Sequence, residues 1–463
     1  MGNETAMWTR RQFAASFATL AQPPAVRPNI VVLLADDLGW RDVGFHGGAT
    51  PTANIDRIVR EGVELERCYA FPFCSPTRSA LLTGRMPIRY GMVFTVIRPW
   101  SPHGLPVDEH LLPETLRSLG YQTACIGKWH LGHAHRRMLP NARGFDHFYG
   151  HVNAGIHYYS HQHMGGLDWQ RNGASVEEDG YSTDLLAKEA VTWIRGRDKT
   201  KPFFLYLPFN GVHTPLSAPD EVMAKYRQLP HAKLRVLAGA IDSMDAAVGK
   251  VLDLLDREGL ANDTLVVFLS DNGGVLAQGS NNSPFRGGKG TAYEGGIRVP
   301  AAIRFPGRIR AGTKSHQVLT VTDLFPTILG ALGGTSQGKK PLDGLNLWPQ
   351  LAGGTSLTRE PLFFGVKSNE RADYRYAALH GEWKLIRTVE QGRPGAAEYL
   401  YHLAIDPAEA KDVREANPAR AKELSAGLDQ WLTLHPDGDI LSSTRPHPGW
   451  IPPKDYAAAA RSD

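Results

Sequence analysis

The stretch Cys74-Ser75-Pro76-Thr77-Arg78, continuing through Ser79 to Gly84-Arg85, concentrates chemistry in a few residues. A lone cysteine stands just before a short helical pattern. Pro76 falls early in the first turn, and Gly84 closes the apolar run Ala80-Leu81-Leu82. Proline early and glycine at the end is the polarity of a helix. Cys74 then lies at a helix N-terminus, where unpaired backbone N–H groups and the helix dipole favour an anion. Arg78, four residues on, shares its face. A nucleophile, a fixed positive charge and a helix N-terminus converge on one spot, which suits a tetrahedral oxyanion.

Further reactive groups sit just beyond apolar runs. Asn29-Ile30-Val31-Val32-Leu33-Leu34-Ala35 and Thr264-Leu265-Val266-Val267-Phe268-Leu269-Ser270 read as parallel strands buried on both faces. The first ends in Asp36-Asp37 and the second in Asp271-Asn272-Gly273-Gly274. Adjacent acids after a central strand are costly unless something satisfies them, and ligand sites of open α/β sheets gather at the carboxyl ends of strands. An Asx turn with a helix cap accounts for one aspartate, not two. Four oxygen side chains converging there call for a cation, and oxygen-only ligation suits Ca²⁺, or less well Mg²⁺, rather than zinc. Lys128 and His130 follow the strand pattern Tyr121–Ile126; as alternate residues of an extended segment they project to one side. His213 follows the apolar strand Pro202–Leu207, and Lys289 lies in the Gly-rich loop Arg286–Gly290. His157, His161 and His163 have no second ligand cluster to make them a metal site, and the segment 140–182 reads as an aromatic loop at a pocket rim.

These groups need a scaffold. At 463 residues the chain is long for a single core, and one large domain plus a smaller one is expected. Strands alternating with helices make residues 28–359 a large, mostly parallel, doubly wound α/β sheet covered by helices. Leu234, Leu237, Ile241, Met244, Val248, Val251 and Leu255 form one apolar stripe on a long helix of that core. From about residue 360 the pattern changes to short strands at Tyr374–His380, Glu382–Thr388 and Glu398–His402 and a helix at Pro418–Leu434. Residues 360–463 thus read as a small antiparallel subdomain with an extended tail. A net charge of +4 is small for this length and argues against a nucleic-acid binder. No apolar run approaches the roughly 18 residues of a membrane span. With three cysteines, Cys68 and Cys125 read as buried free thiols, one disulfide between them being the alternative. Residues 1–27 carry Thr9-Arg10-Arg11-Gln12-Phe13 and then small apolar residues, which reads as a twin-arginine export signal and a periplasmic or secreted protein; a cytoplasmic protein with a basic tail is the alternative.

The segment from Cys74 to Arg85 resembles the signature of the type I sulfatases, of the alkaline phosphatase superfamily. The family's other elements appear in order: Asp36-Asp37, Gly127-Lys128-Trp129-His130-Leu131-Gly132, His213, Asp271-Asn272-Gly273-Gly274 and Lys289. The resemblance implies an alkaline-phosphatase-like fold and a sulfuric ester hydrolase. It implies that a maturation enzyme converts Cys74 to formylglycine. Asp36, Asp37, Asp271 and Asn272 would bind one Ca²⁺ together with modified residue 74, and Arg78 would hold the formylglycine hydrate. Lys128, His130, His213 and Lys289 would hold the sulfate, and His213 or Lys289 would protonate the leaving group. The stretch Lys128–His163 is most similar to the arylsulfatase B branch, which implies sulfated N-acetylgalactosamine or a related glycan as substrate, with artificial aryl sulfates also accepted. Two rivals remain: a phosphate or phosphonate monoester hydrolase of the same superfamily, separable by rates on aryl sulfate and aryl phosphate, and a catalytically inactive glycan-binding relative.

Overall fold

The computed structural model describes residues 27–368, 373–436 and 445–462; the stretch read as an export signal lies outside them. At the centre runs the strand Asn29–Ala35, buried along its whole length. Its side chains alternate between two cores: Ile30, Val32 and Leu34 enter one, and Val31, Leu33 and Ala35 the other. A strand apolar at every position is what burial on both faces requires.

Among the described residues the large sheet has ten strands. From one edge they are Thr313–Ser315, Val63–Leu65, Ala301–Arg304, Thr264–Ser270, Asn29–Ala35, Phe203–Pro208, Gln122–Lys128, His147–His151, Gln170–Arg171 and Ala174–Ser175. The block from Thr264–Ser270 to His147–His151 is parallel. Antiparallel pairings bound it on both sides. Ala35 lies opposite Ser270 and Leu34 opposite Pro208, so the carboxyl ends of the parallel strands are level. Helices Cys74–Thr83, Leu112–Ser118 and Leu324–Ala331 cover one face; Ala53–Arg60, Ser182–Gly196 and Ala232–Arg257 cover the other. The expected stripe of the long helix is buried from Leu237 to Leu255, with Leu234 half-exposed near its start. This is the expected doubly wound, alkaline-phosphatase-like sheet.

A second sheet pairs Leu362–Lys367, Tyr374–His380, Trp383–Val389 and Ala397–His402 antiparallel, with helix Pro418–Leu432 against it. Its inner residues continue the core of one face of the large sheet, where Phe364 meets Tyr69 and Phe71 with ring centroids 6.1 and 5.7 Å apart. The tail lies along the surface, joined through Leu167 to Asp455 and His135 to Arg461. Cys68, Cys74 and Cys125 are buried free thiols.

Residues 63–69 divide between two pairings: Val63–Leu65 belongs to the large sheet, Glu66 and Arg67 turn outward toward Lys314 and Glu382, and Cys68–Tyr69 pairs with Leu319–Thr320 in a separate ribbon. One local reading needs correction. The segment 140–182 contains a strand of the main sheet and a hairpin. Among the described residues, His157, His161 and His163 form no metal-ligating group; His161 instead stacks on Trp169 at 4.6 Å.

Candidate active site

Cys74 is the first residue of helix Cys74–Thr83, and Gly84 ends that helix in the left-handed conformation at φ 64°. The helix aims its first turn at the level ends of the parallel strands. Cys74 Sγ lies 3.5 Å from Asp36 Oδ1 and 3.5 Å from Asn272 Oδ1. Asn272 Nδ2 donates to Asp37 Oδ1 at 2.8 Å, which turns its carbonyl oxygen toward the thiol. Asp37 holds φ 66°, a left-handed turn that folds the second carboxylate back over the strand end. Gly273 is required beside it, because a Cβ there would meet Gly295 O at 1.8 Å.

Each carboxylate has its own cation. Lys128 Nζ donates to Asp36 Oδ2 at 2.6 Å, and Arg78 Nη2 donates to Asp271 Oδ2 at 2.8 Å. Lys289 Nζ lies 2.6 Å from Asp37 Oδ1. Arg78 also donates through Nη1 to Lys128 O at 2.8 Å, tying the helix to the next strand end. Asp36, Asp271, Arg78 and Lys128 are fully buried, whereas the side chains of His213 and Lys289 retain 16% and 17% of their exposure. The first four form a floor and the last two a mouth.

Hydrogen bonds assign the imidazole tautomers. His213 Nδ1 faces the carbonyl of Thr214 at 2.5 Å, so it carries the proton and leaves Nε2 as a lone pair, 3.8 Å from Asp37. His130 Nε2 donates to Ile97 O at 2.9 Å, leaving Nδ1 bare, buried and without a partner among the described residues. Burial, then Lys289 for His213 and Lys128 for His130, hold both imidazoles well below their usual range, hence neutral. Burial opposes the charge of Lys289, but Asp37 together with Asp36 and Asp271 outweighs it and keeps the ammonium protonated. Burial raises Asp37, but the ammonium of Lys289, which also hydrogen-bonds it, and that of Lys128 hold this carboxyl low. Cys74 moves the other way: burial and Asp271 push the thiol far up, so the unmodified side chain is a poor nucleophile.

Residues 28–334 match the family model of the sulfatases, and residues 288–434 match that of the C-terminal region of N-sulphoglucosamine sulphohydrolase. The chain belongs to the sulfatase family. It is 31% identical over 457 residues to arylsulfatase J of Mus musculus, covering 88% of this chain and 76% of that protein. It is 36% identical over 382 residues to N-acetylgalactosamine-6-sulfatase of Homo sapiens, covering 77% and 71%. The crystal structure of Ps i-CgsB aligns with a TM-score of 0.82 at 33% identity, over 89% of this chain and 94% of that one. The protein is therefore a sulfuric ester hydrolase.

In this sulfatase, Asp36, Asp37, Cys74 and His213 bring ligand atoms within 4.8 Å of one another, a group unique among the described residues. With Asp271 and Asn272 the oxygen-rich donor set fits a hard divalent cation. Burial and the Asp271 charge push Asp36 up to about 7 although Lys128 and Arg78 oppose them, so positive charge is still undersupplied. Two geometric expectations change. Lys128 and His130 do not project from one extended segment: Lys128 ends its strand, and His130 turns at φ 57° into a separate loop. Arg78 spends its hydrogen bonds on Asp271 and the Lys128 carbonyl. Sequence reasoning missed Ser75, whose Oγ donates to His130 O at 3.0 Å and accepts from Ile97 N at 3.2 Å, bracing the His130 loop. Its place beside Cys74 was its only signal.

Proposed function

We propose that this sulfatase hydrolyses a sulfate monoester on a sulfated sugar of the N-acetylgalactosamine type or a related glycan, and artificial aryl sulfates as well, with residue 74 acting as formylglycine. The observation that carries the reading is Cys74 at a helix N-terminus, 3.5 Å from Asp36 and Asn272 and between the cations of Lys128 and Lys289. The relatives support the sugar. One is an N-acetylgalactosamine-6-sulfatase, and Ps i-CgsB has also been solved in complex with k-i-k-neocarrahexaose.

Asp36, Asp37, Asp271 and Asn272 would hold Ca²⁺, which would favour an ionised oxygen on residue 74 and spread the charge of the sulfuryl oxygens. A formylglycine hydrate supplies two hydroxyls on one carbon, one to attack sulfur and one to expel sulfate as the aldehyde returns. The chain's own residues do the rest. Lys128 and the helix N-terminus place fixed positive charge where the sulfuryl oxygens become more negative. Lys289, protonated and at the mouth, donates its proton to the departing oxygen. His213 presents a lone pair at the same mouth until an anion draws a proton to it. His130 Nδ1 accepts the proton of the second hydroxyl. Cys74 is converted by a formylglycine-generating enzyme before the folded chain is exported, with residues 28–359 as the catalytic domain and 360–463 as its subdomain.

Peptide mass spectrometry on the tryptic fragment Cys68–Arg78 tests the nucleophile, together with rates on aryl sulfate and aryl phosphate. A fragment with formylglycine in place of cysteine and a preference for sulfate are expected. An unmodified thiol in fully active protein, or faster turnover of the phosphate, would overturn the reading.

A further inference from the structure

The small C-terminal sheet does more than close the core. On strand Leu362–Lys367 the residues Leu362, Phe364 and Val366 share one face. Phe364 packs on Tyr69 and Phe71, in the segment that leads through Phe73 into Cys74. Val366 is paired in register with Arg375 on the neighbouring strand, so Arg375 emerges on that same face. The opposite face carries Lys367 and Tyr374, also paired, with the lysine Nζ 5.2 Å from the tyrosine ring centroid. The hairpin thus rides along the approach to Cys74 and carries a guanidinium to the catalytic mouth.

A cavity of about 350 Å³ lies there, lined by Phe73, Lys289 and Gly290 from the large sheet's loops and by Val366, Asp373 and Arg375 from the hairpin, with Lys367 of the other strand face reaching its rim. Its volume is within the range of small-molecule sites. Lys289 faces it from the catalytic side and is already paired with Asp37. Arg375 is exposed and has no ion-pair partner among the described residues. Asp373 accepts Gln391 N through Oδ1 at 3.0 Å, which fixes its carboxylate at the cavity wall. The geometry points to a subsite in which Arg375 binds a second anionic group, a sulfate or a carboxylate, on the sugar next to the one that loses its sulfate. A guanidinium fork suits either group. The preferred substrate is then a polyanionic oligosaccharide rather than an isolated sulfated monosaccharide. This rests on the sulfated-glycan reading above and deepens it.

The test compares Arg375→Ala and Arg375→Lys with wild type on four substrates: 4-methylumbelliferyl sulfate, a monosulfated disaccharide with a neutral neighbour, the same with a sulfated neighbour, and the same with a hexuronate neighbour. For Arg375→Ala, kcat/KM on a substrate with an anionic neighbour, relative to that on the aryl sulfate, should fall about tenfold, the size of one hydrogen-bonded charge. Arg375→Lys should recover part of it. A fall confined to the sulfated or to the hexuronate disaccharide identifies which anion is read. Equal losses on all four substrates, or none, overturn the subsite. Equilibrium binding to Cys74→Ala protein, with and without Arg375→Ala, separates the two proposals. Wild type inactive on every sulfate ester would sink the function, while Arg375-dependent preference of the Cys74→Ala protein for the doubly anionic disaccharides would still support the subsite, and absence of that preference would end it.

Discussion

Among the described residues Lys384 is the one ammonium set between two buried carboxylates, and replacing it by methionine should destabilise the protein in a strongly pH-dependent way. Its Nζ lies 3.0 Å from Glu294 Oε1 and 3.0 Å from Glu409 Oε1, with all three side chains fully buried. Glu409 Oε2 accepts Glu294 N at 2.6 Å, and the Glu409 carbonyl accepts Arg286 Nη1 at 2.9 Å. The cluster therefore joins the C-terminal sheet to the loop that carries Lys289. Burial raises Glu294, but Lys384 and Arg298 outweigh it and hold that carboxyl below its usual range. At Glu409 burial prevails over Lys384, with the Glu294 charge adding to it, and the carboxyl is pushed up. In the wild type the two effects oppose each other: the depressed Glu294 adds stability that is lost as pH falls, and the raised Glu409 adds stability that is lost as pH rises. Without Lys384 both carboxyls shift upward, so the penalty grows with pH. Breaking a buried pair costs about 3–5 kcal/mol when the orphaned charge stays ionised. Keeping Glu409 protonated instead costs about 1.4 kcal/mol per pH unit above its ordinary value of 4.5, hence at most roughly 0.7 kcal/mol at pH 5 and at most roughly 4.8 kcal/mol at pH 8, less the share the wild type already carries through its own raised Glu409. Guanidinium unfolding followed by tryptophan fluorescence should show the midpoints of wild type and Lys384→Met well apart at pH 8 and nearly together at pH 5. Adding Glu409→Gln should close most of the gap at pH 8. A gap of the same size at both pH values, or no rescue by the second substitution, would refute the reasoning.

Three further outcomes follow from the same geometry. Lys289→Met should lower kcat on alkyl-type sugar sulfates by about a hundredfold or more, with a smaller loss on p-nitrophenyl sulfate, whose leaving group departs without a proton; Lys128→Met should penalise both alike. Chelation should abolish turnover, restored by Ca²⁺, while unfolding remains cooperative, because Asp36, Asp37 and Asp271 each keep a cation of their own within 2.8 Å. Glu189 accepts His147 Nε2 at 2.9 Å and Arg171 Nη2 at 3.0 Å, and although burial opposes them these partners hold its carboxyl down to about 2, so it adds stability at neutral pH that is lost as pH falls from the ordinary 4.5 toward that value; Glu189→Gln should cost most at pH 7 and least at pH 3 in thermal melts.

The parallel strands were legible because burial on both faces leaves no room for a polar residue, and Asn29–Ala35 and Thr264–Ser270 contain almost none. The acids beyond them stood out for the same reason: Asp36, Asp37 and Asp271 break an apolar run at its end. Other elements left weaker marks. Leu362–Lys367 has Gly365 at its centre, where a Cβ would come within 2.6 Å of Phe94, and the glycine hides the alternation that marks a half-buried strand. The hairpin Gln170–Ser175 has strands of only two residues, yet its turn Asn172-Gly173, with φ 51° and 82°, is the strongest short-range hairpin signal there is and was open to reading. The turn at His130 had no such mark. Its left-handed backbone follows from tertiary contacts, with His130 N bonded to Val152 O and its ring to Ile97 O, and these join segments that no local pattern connects.

Pairings across the site could not be read from the chain for a related reason. Arg78 was placed by helix periodicity on the face of Cys74, and the periodicity is right, but the guanidinium is claimed by Asp271, 193 residues away. A helical face fixes a direction; which charge waits there depends on the level at which separate strands end. That level is set by the register of Ala35 with Ser270 and of Leu34 with Pro208, a property of the packed sheet. Charge identity at this site is therefore local information and charge pairing is global. Lys289 and Arg375 show the same division: one lies in a Gly-rich loop and the other in a small sheet 86 residues on, and the packing of Phe364 on Tyr69 and Phe71, with the Lys384 cluster, brings both to the wall of one cavity.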